Sequence, residues 1–242
     1  YQFLLLFYGA LWGQWTFFWQ YEKKLLQKIG LLGLSDKQPK SQSKSSKLQP
    51  ARVCIAIFAS GTGSNAARIM ERLQNHPSAR VALVVCNKPG AGVIGIAEKA
   101  GIPVLLIEKE RFFKGDAYLS ELEKAHIQWI VLAGFLWKVP ARLVNAFPGH
   151  LINIHPALLP KFGGKGMYGQ HVHAAVIAAG EKESGITIHY VNEHFDEGAP
   201  IFQAKCPVSP EDTPESLAAK IHQLEHRYFP EIVEKLVTGQ DV

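Results

Sequence analysis

Cysteine is scarce in this chain: three in 242 residues, Cys54, Cys86 and Cys206, with no C-x-x-C pair among them. That excludes a disulfide scaffold. Cys54 and Cys86 sit inside apolar runs that read as buried strands, so reduced thiols and a cytoplasmic location are expected. No G-x-S-x-G occurs, and no cysteine stands at a recognisable spacing from a histidine, which argues against a covalent acyl-enzyme route. Surplus charge of one sign is also missing from most of the chain. The formal net charge is +5, but residues 1–50 hold 7 of the 26 basic and 2 of the 21 acidic residues, leaving 19 of each in the rest. A nucleic-acid footprint needs clustered basic surplus on the folded part, so no nucleic-acid partner is expected.

Charge is absent altogether from residues 1–20, which are crowded with Phe, Tyr and Trp and followed by Glu22, Lys23, Lys24 and Lys28. The length suits a membrane span. Against that, Gln2, Gln14 and Gln20 interrupt the run, and Trp and Phe dominate where Leu and Val usually stand. A membrane partner is therefore expected only if this leader acts as an anchor. With no initiating Met, the tail of a missing segment or an upstream translation artefact stay open as alternatives. Residues 35–49 are rich in Ser, Lys and Gln with few apolar side chains, too few to offset the entropy of ordering, and read as a disordered linker. Residues 1–50 thus form an aromatic leader and linker outside the catalytic fold, and residues 51–242 a single domain.

From Arg52 onward the apolar pattern alternates between two periods. Arg52 to Ala59 is a continuous apolar strand, Gly61 and Gly63 break it, and Asn65 to Leu73 places Ala66, Ile69, Met70 and Leu73 at helical spacing. The unit recurs with strand 80–86 and helix 94–100, then strand 104–107 and helix 118–126. Apolar strands follow at 128–133 and 151–154. Strands alternating with helices, without hairpin turns between them, require crossover connections, so the fold class is α/β, doubly wound, a mostly parallel sheet with helices on both faces. Residues 185–191 alternate apolar and polar, and 201–208 follows after a short turn, predicting a mixed C-terminal edge. Pro214 to Leu224 carries Leu217, Ala218, Ile221 and Leu224 on one face, with Asp212 or Thr213 as cap and an interruption at Pro230.

Two places on this frame carry chemistry. Ser60-Gly61-Thr62-Gly63-Ser64-Asn65 lies between a strand and a helix, where backbone N–H groups and the helix dipole converge on an anion such as phosphate. With Ala66 it also fits the dinucleotide fingerprint G-x-G-x-x-A, but Cys86-Asn87-Lys88 stands where that fingerprint wants an acidic residue. A packing turn is the remaining alternative. The second place is Asn153 and His155, two apart at the carboxyl end of a strand and so on one face. Asn153 offers an amide N–H to an oxyanion, and a protonated His155 does the same or passes a proton. Asp196, in the turn Phe195-Asp196-Glu197-Gly198, is a carboxylate that would orient His155 and favour its protonated form. His155 with His171 and His173 is the alternative metal set, His171-Val172-His173 chelating from a loop; further ligands are not evident, and no metal is expected.

The run Ile152-Asn153-Ile154-His155-Pro156-Ala157-Leu158-Leu159-Pro160-Lys161 resembles the signature of the folate-dependent formyltransferases. Together with residues 60–65, Leu132-Ala133-Gly134-Phe135, Asp196-Glu197-Gly198 and Glu225-His226, the match over 52–237 resembles the branch of that family acting on glycinamide ribonucleotide in purine synthesis. The resemblance implies Asn153, His155 and Asp196 as catalytic trio. It implies Gly61, Thr62, Gly63, Ser64 and Asn65 around the ribonucleotide phosphate and Glu225 at the glycinamide amine. It implies Leu136, Trp137, Lys138, Val139, Asn192, Glu193, His194 and Phe195, with Asn153 and Asp196, around 10-formyltetrahydrofolate as co-substrate. Two departures stand out: Lys114-Gly115-Asp116 where some relatives have an Arg near the formyl donor, and a longer glycine-rich Phe162–Gly169 segment with the composition of a lid. The alternative activity is a formyltetrahydrofolate hydrolase, using the same trio with water as acceptor.

Overall fold

The computed structural model describes residues 52–242; the expectations for the leader and linker lie outside them. Seven strands form one sheet: β1 (Val53–Ala59), β2 (Ala79–Cys86), β3 (Val104–Leu106), β4 (Ile127–Leu132), β5 (Leu151–His155), β6 (Glu183–Tyr190) and β7 (Pro200–Pro207). Their order is β3-β2-β1-β4-β5-β6-β7. The first five run parallel, and β6 and β7 add antiparallel, giving the expected mixed edge. Chain order reverses direction between β1 and β4, and the loops after these two strands therefore leave a crevice at their carboxyl ends.

β1 shows why the sheet is buried on both sides. Ile55, Ile57 and Ala59 enter one core, while Cys54, Ala56 and Phe58 enter the other, the period-2 alternation of a strand with helices above and below. The first core is closed by α1 (Ser64–Leu73), α2 (Gly92–Lys99), α6 (Gln170–Ala178) and the long α7 (Pro214–Thr238). The second is closed by α3 (Lys109–Lys114), α4 (Leu119–Lys124) and α5 (Ala141–Ala146), through Phe112, Leu122 and Leu143.

The structure departs from the sequence pattern in three places. Helix 118–126 shortens to α4 with a separate α3 before it, because Ala117 and Tyr118 take left-handed φ values of 52° and 61° that no helix accommodates. Tertiary contacts hold that break: the Glu108 N–H donates to the Tyr118 hydroxyl at 2.8 Å, and the Arg111 guanidinium lies 4.0 Å from the Tyr118 ring centre. His171-Val172-His173, read as loop, lie within the helix α6 (Gln170–Ala178). Pro230 does not interrupt α7, which runs 25 residues through it. A mid-helix proline costs ~3 kcal/mol, whereas Phe229, Ile232 and Val233 are each at most 3% exposed, and burying each such side chain contributes ~1.5–3 kcal/mol. The start of α7 is a capping box in which the Thr213 hydroxyl accepts from the Ser216 N–H and the Ser216 hydroxyl accepts from the Thr213 N–H.

Gly63 is a tight backbone point beside the crevice. Its φ is +83°, and a Cβ there would sit 2.7 Å from the Val93 Cα at the start of α2. Gly61 has open space around its Cβ position. Gly63→Ala is therefore expected to lower unfolding stability by more than ~1 kcal/mol, whereas Gly61→Ala stays within about 0.5 kcal/mol; urea melts of the two variants check this, and equal midpoints would remove the packing account of Gly63.

Candidate active site

At the carboxyl end of β1, the loop to α1 is stitched to the loop leaving β4. The Ser60 N–H donates to the Gly134 carbonyl at 3.0 Å, and the Leu136 N–H donates to the Ser60 hydroxyl at 2.9 Å. These bonds fix the two walls of a cavity of about 310 Å³. One end is the glycine loop, Gly61 to Asn65. Gly63 is the N-cap of α1 in a left-handed conformation with no side-chain cap bond, and no acidic residue occupies the first turn. The first amides of α1 are thus left for an anion, with the helix dipole behind them.

Beside that loop, the Asn65 amide Nδ2–H donates to Glu225 Oε2 at 2.9 Å, joining α1 to α7. The Asn65 Oδ1 is buried without a partner, an acceptor suited to a ligand N–H. Glu225 is 7% exposed; burial pushes its carboxyl above the ordinary value, while the Asn65 bond and His222 pull the other way. His173 and His222 also line this end. His173 is 3% exposed, and burial, with His222 and His155 nearby, depresses it to about 4.

The middle of the cavity holds Asn153, His155 and Asp196. Ile152 and Ile154 point into the first core, so Asn153 and His155 share the opposite face of β5. The sequence brings Asp196 from the loop between β6 and β7, at a left-handed φ of 56°. Its Oδ2 accepts from the Gly164 N–H at 2.9 Å and lies 3.5 Å from His155 Nδ1. The other ring nitrogen of His155, Nε2, is 2.8 Å from the Phe162 carbonyl, which can only accept, so Nε2 carries a proton. Asp196 is pushed up by burial, but nearby groups, His155 and the Gly164 N–H among them, hold it below the ordinary carboxylate value. His155 does not follow the sequence expectation of a raised imidazole. Burial, the larger effect, pushes it down, and Asp196 and the Phe162 carbonyl offset this only in part.

The far end is apolar. Leu136, Trp137, Lys138 and Val139 form one wall, and Val191, Asn192, His194 and Phe195 the other. Leu136 is 56% and Phe195 39% exposed, and Lys138 Nζ lies 5.5 Å from the Phe195 ring centre. Phe135 packs edge-on against Phe58 and Phe112 beneath them.

The cavity gathers every expected site residue except Glu193, which is exposed and off its wall; along this irregular loop its neighbours Asn192 and His194 face the cavity instead. The chelating loop His171-Val172-His173 is corrected as well. Both histidines are on α6, where residues two apart point to different faces: His171 is exposed and His173 buried. Among the described residues no group of three or more His, Cys, Asp or Glu is disposed to hold a metal ion. Lys114, Gly115 and Asp116 lie away from the cavity wall, with Asp116 accepting two bonds from Arg111 at 2.9 and 3.0 Å. The glycine-rich segment is more than a surface turn: Gly164, Gly166, Met167, Tyr168 and Gly169 line the cavity. His189 and His222 were not singled out from the sequence, and His173 was considered only as a metal ligand; the apolar/polar alternation of β6 did mark His189 as facing away from the core.

Residues 53–233 match the formyl transferase family. The chain belongs to that family. Among relatives it is similar to a phosphoribosylglycinamide formyltransferase of Arabidopsis thaliana named as chloroplastic, 41% identical over 76% of this chain and 65% of that one. It is also similar to the phosphoribosylglycinamide formyltransferase of Bacillus subtilis, 38% identical over 76% of this chain and 94% of that one. The crystal structure of glycinamide ribonucleotide transformylase 1 from Geobacillus kaustophilus superposes with a TM-score of 0.70 at 36% identity, covering 77% of this chain and 100% of that one. The chain thus spans about two thirds of the length of the Arabidopsis relative. Residues 1–33 match a different family, one of unknown function (DUF6787). Among the described residues no helix is long and apolar enough to cross a membrane.

Two pH effects follow for this formyl transferase family member. Asp196 raises the His155 pKa, so Asp196→Asn is expected to move the His155 titration to lower pH, read from imidazole NMR shifts; an unchanged titration would break the proposed coupling. His173 binds its proton at about 4 when folded against an ordinary 6.5, so the unfolded chain takes up more protons in that window and stability is lost as pH falls from about 6.5 towards 4. His173→Gln should flatten that part of the curve of melting temperature against pH, and an equally steep acid loss would count against it.

Proposed function

We propose that the chain transfers the formyl group of 10-formyltetrahydrofolate to the amine of glycinamide ribonucleotide, a step of purine synthesis. The observation that carries this is one cavity lined by three chemically distinct groups: an uncapped helix N-terminus for a phosphate, the set Asn153, His155 and Asp196, and apolar walls for a flat ring system. The printed names of the Arabidopsis and Bacillus relatives support the same substrates.

The amine nitrogen attacks the formyl carbon, one C–N bond forms, and the carbonyl electrons move to oxygen. The Asn153 amide N–H stabilises that oxyanion, joined by His155 Nδ1 once the ring is protonated, because its Nε2–H is held by the Phe162 carbonyl. His155 is 3% exposed and Asn153 half-buried, so such bonds act at a lower dielectric than in water. Collapse breaks the bond to N10 of the folate, and the proton lost by the attacking amine ends on that nitrogen, with Asp196 placed to relay it. The 3.5 Å spacing of His155 Nδ1 and Asp196 is longer than a strong hydrogen bond and leaves Nδ1 available to the reacting oxygen. Glu225 and the unpartnered Asn65 Oδ1 hold the glycinamide N–H groups. Aligning both substrates in one cleft accounts for much of the acceleration, as effective molarities reach ~10⁵ M and above.

A hydrolase would use the same trio with water. The Glu225–Asn65 pair with its open acceptor favours a ligand carrying N–H donors over water alone. Residues 51–242 are the catalytic domain in this reading, with residues 1–50 outside it; the three free cysteines, two of them buried, fit a cytoplasmic location.

The test follows tetrahydrofolate formation from 10-formyltetrahydrofolate by the full chain, with and without glycinamide ribonucleotide. Amine-dependent turnover is expected, falling about 10²–10³-fold in Asn153→Ala and 10²–10⁴-fold in His155→Ala, with Glu225→Gln raising KM for the ribonucleotide. Turnover indifferent to the amine would replace this reading with the hydrolase.

A further inference from the structure

His189 is buried, 2% exposed, on β6 directly opposite Asn153 of β5. Cross-strand partners in an antiparallel pair project to the same side of the sheet, so both side chains sit at the middle of the cavity. The His189 ring makes three polar approaches. Nδ1 lies 2.8 Å from the Tyr190 carbonyl oxygen. Nε2 lies 3.1 Å from the Asn153 amide Nδ2 and 3.6 Å from Asp196 Oδ1.

The Tyr190 contact sets the direction of the first bond, and the others follow for a neutral ring. A carbonyl oxygen accepts and never donates, so Nδ1 carries the proton. In the neutral ring Nε2 is then a lone-pair acceptor, which matches an amide nitrogen at 3.1 Å and not a carboxylate oxygen at 3.6 Å, beyond hydrogen-bond range. Were Nε2 protonated, two donors would face each other across the Asn153–His189 gap, and the Asn153 amide would turn over to present its oxygen there.

We propose that His189 is a positioning residue for formyl transfer: held in its Nδ1–H tautomer by the Tyr190 carbonyl, it accepts one Asn153 N–H and so fixes the amide with its nitrogen towards His189 and its second N–H left for the oxyanion. The inference rests on the function proposed above and deepens it. An amide free to rotate loses part of its oxyanion stabilisation, because the donor must be in place before charge develops. The device resembles the second ligand sphere of metal sites, where an outer hydrogen bond fixes the orientation of the group that acts. His189 does not touch the substrate; its effect passes through Asn153.

The experiment has two arms on the full chain. In the first, ¹⁵N shifts of the His189 ring are read near neutral pH. A protonated Nδ1 with an unprotonated, accepting Nε2 is expected; a protonated Nε2, donating to Asp196, overturns the proposal whatever the activity. In the second, His189→Phe and His189→Gln are combined with Asn153→Ala in a double-mutant cycle. His189→Phe, which keeps a flat ring without an acceptor, should lower kcat about 10- to 100-fold with KM for both substrates nearly unchanged, a part of the loss seen when an oxyanion donor is removed. His189→Gln, whose side-chain oxygen can still accept, should recover most of it; if the Phe variant does not fold, the ring ¹⁵N shifts decide the proposal. With alanine at position 153, substituting His189 should cost less than about twofold more, as expected for residues acting as one unit. Equal losses in both backgrounds overturn the proposal. Absence of turnover in the unsubstituted chain would remove the proposed function and leave the ring ¹⁵N shifts to decide the tautomer.

Discussion

The pairing of β5 with β6 is the constraint on which the site depends. Its register sets Asn153 against His189 and His155 against Thr187, so four polar side chains meet on one face while Ile152, Ile154, Ile186 and Ile188 fill the core on the other. A slip of one residue would drive the polar set into the core and the isoleucines into the cavity, which makes the register strongly determined. Thr187 then extends the order outward: its hydroxyl donates to the Ala157 carbonyl at 2.7 Å and accepts from the Leu159 N–H at 3.0 Å. The segment leaving β5 is thereby held where Phe162 and Gly164 reach His155 and Asp196.

Burial and charge oppose each other at His155, Asp196 and Glu225, while at His173 they act in the same direction. Desolvation dominates at His155 and His173, which are pushed down, and at Glu225, which is pushed up. At Asp196 the surrounding donors win and the carboxyl stays charged. One fixed negative charge among rings that resist a positive one gives an incoming proton few places to go, the arrangement expected where a proton must be moved and not merely stored.

Much of this was legible beforehand because period and punctuation are local. β1, α1 and the capped start of α7 follow from apolar spacing, glycine placement and Thr213. The trio could be proposed from a motif because Asn153 and His155 are two apart on one strand. Glu193 lies off the cavity wall, and an irregular loop has no period to say which of its side chains turns inward. The helix at 170–178 was missed, and with it the burial of His173, because its glycine-rich approach masks the start. Pro230 was read as a break on local propensity, and tertiary burial overrode it.

The sequence alone determined the class of fold, the glycine loop at a helix N-terminus and the polar pair at a strand end, each a matter of neighbours within a few residues. Only the tertiary structure decided that Asp196, 41 residues beyond His155, comes within 3.5 Å of it, that Glu225 of α7 meets Asn65 of α1, and that His189 stands against Asn153. The physical reason is that strand order and cross-strand register come from packing two cores against one sheet, and no local stretch of chain carries that information.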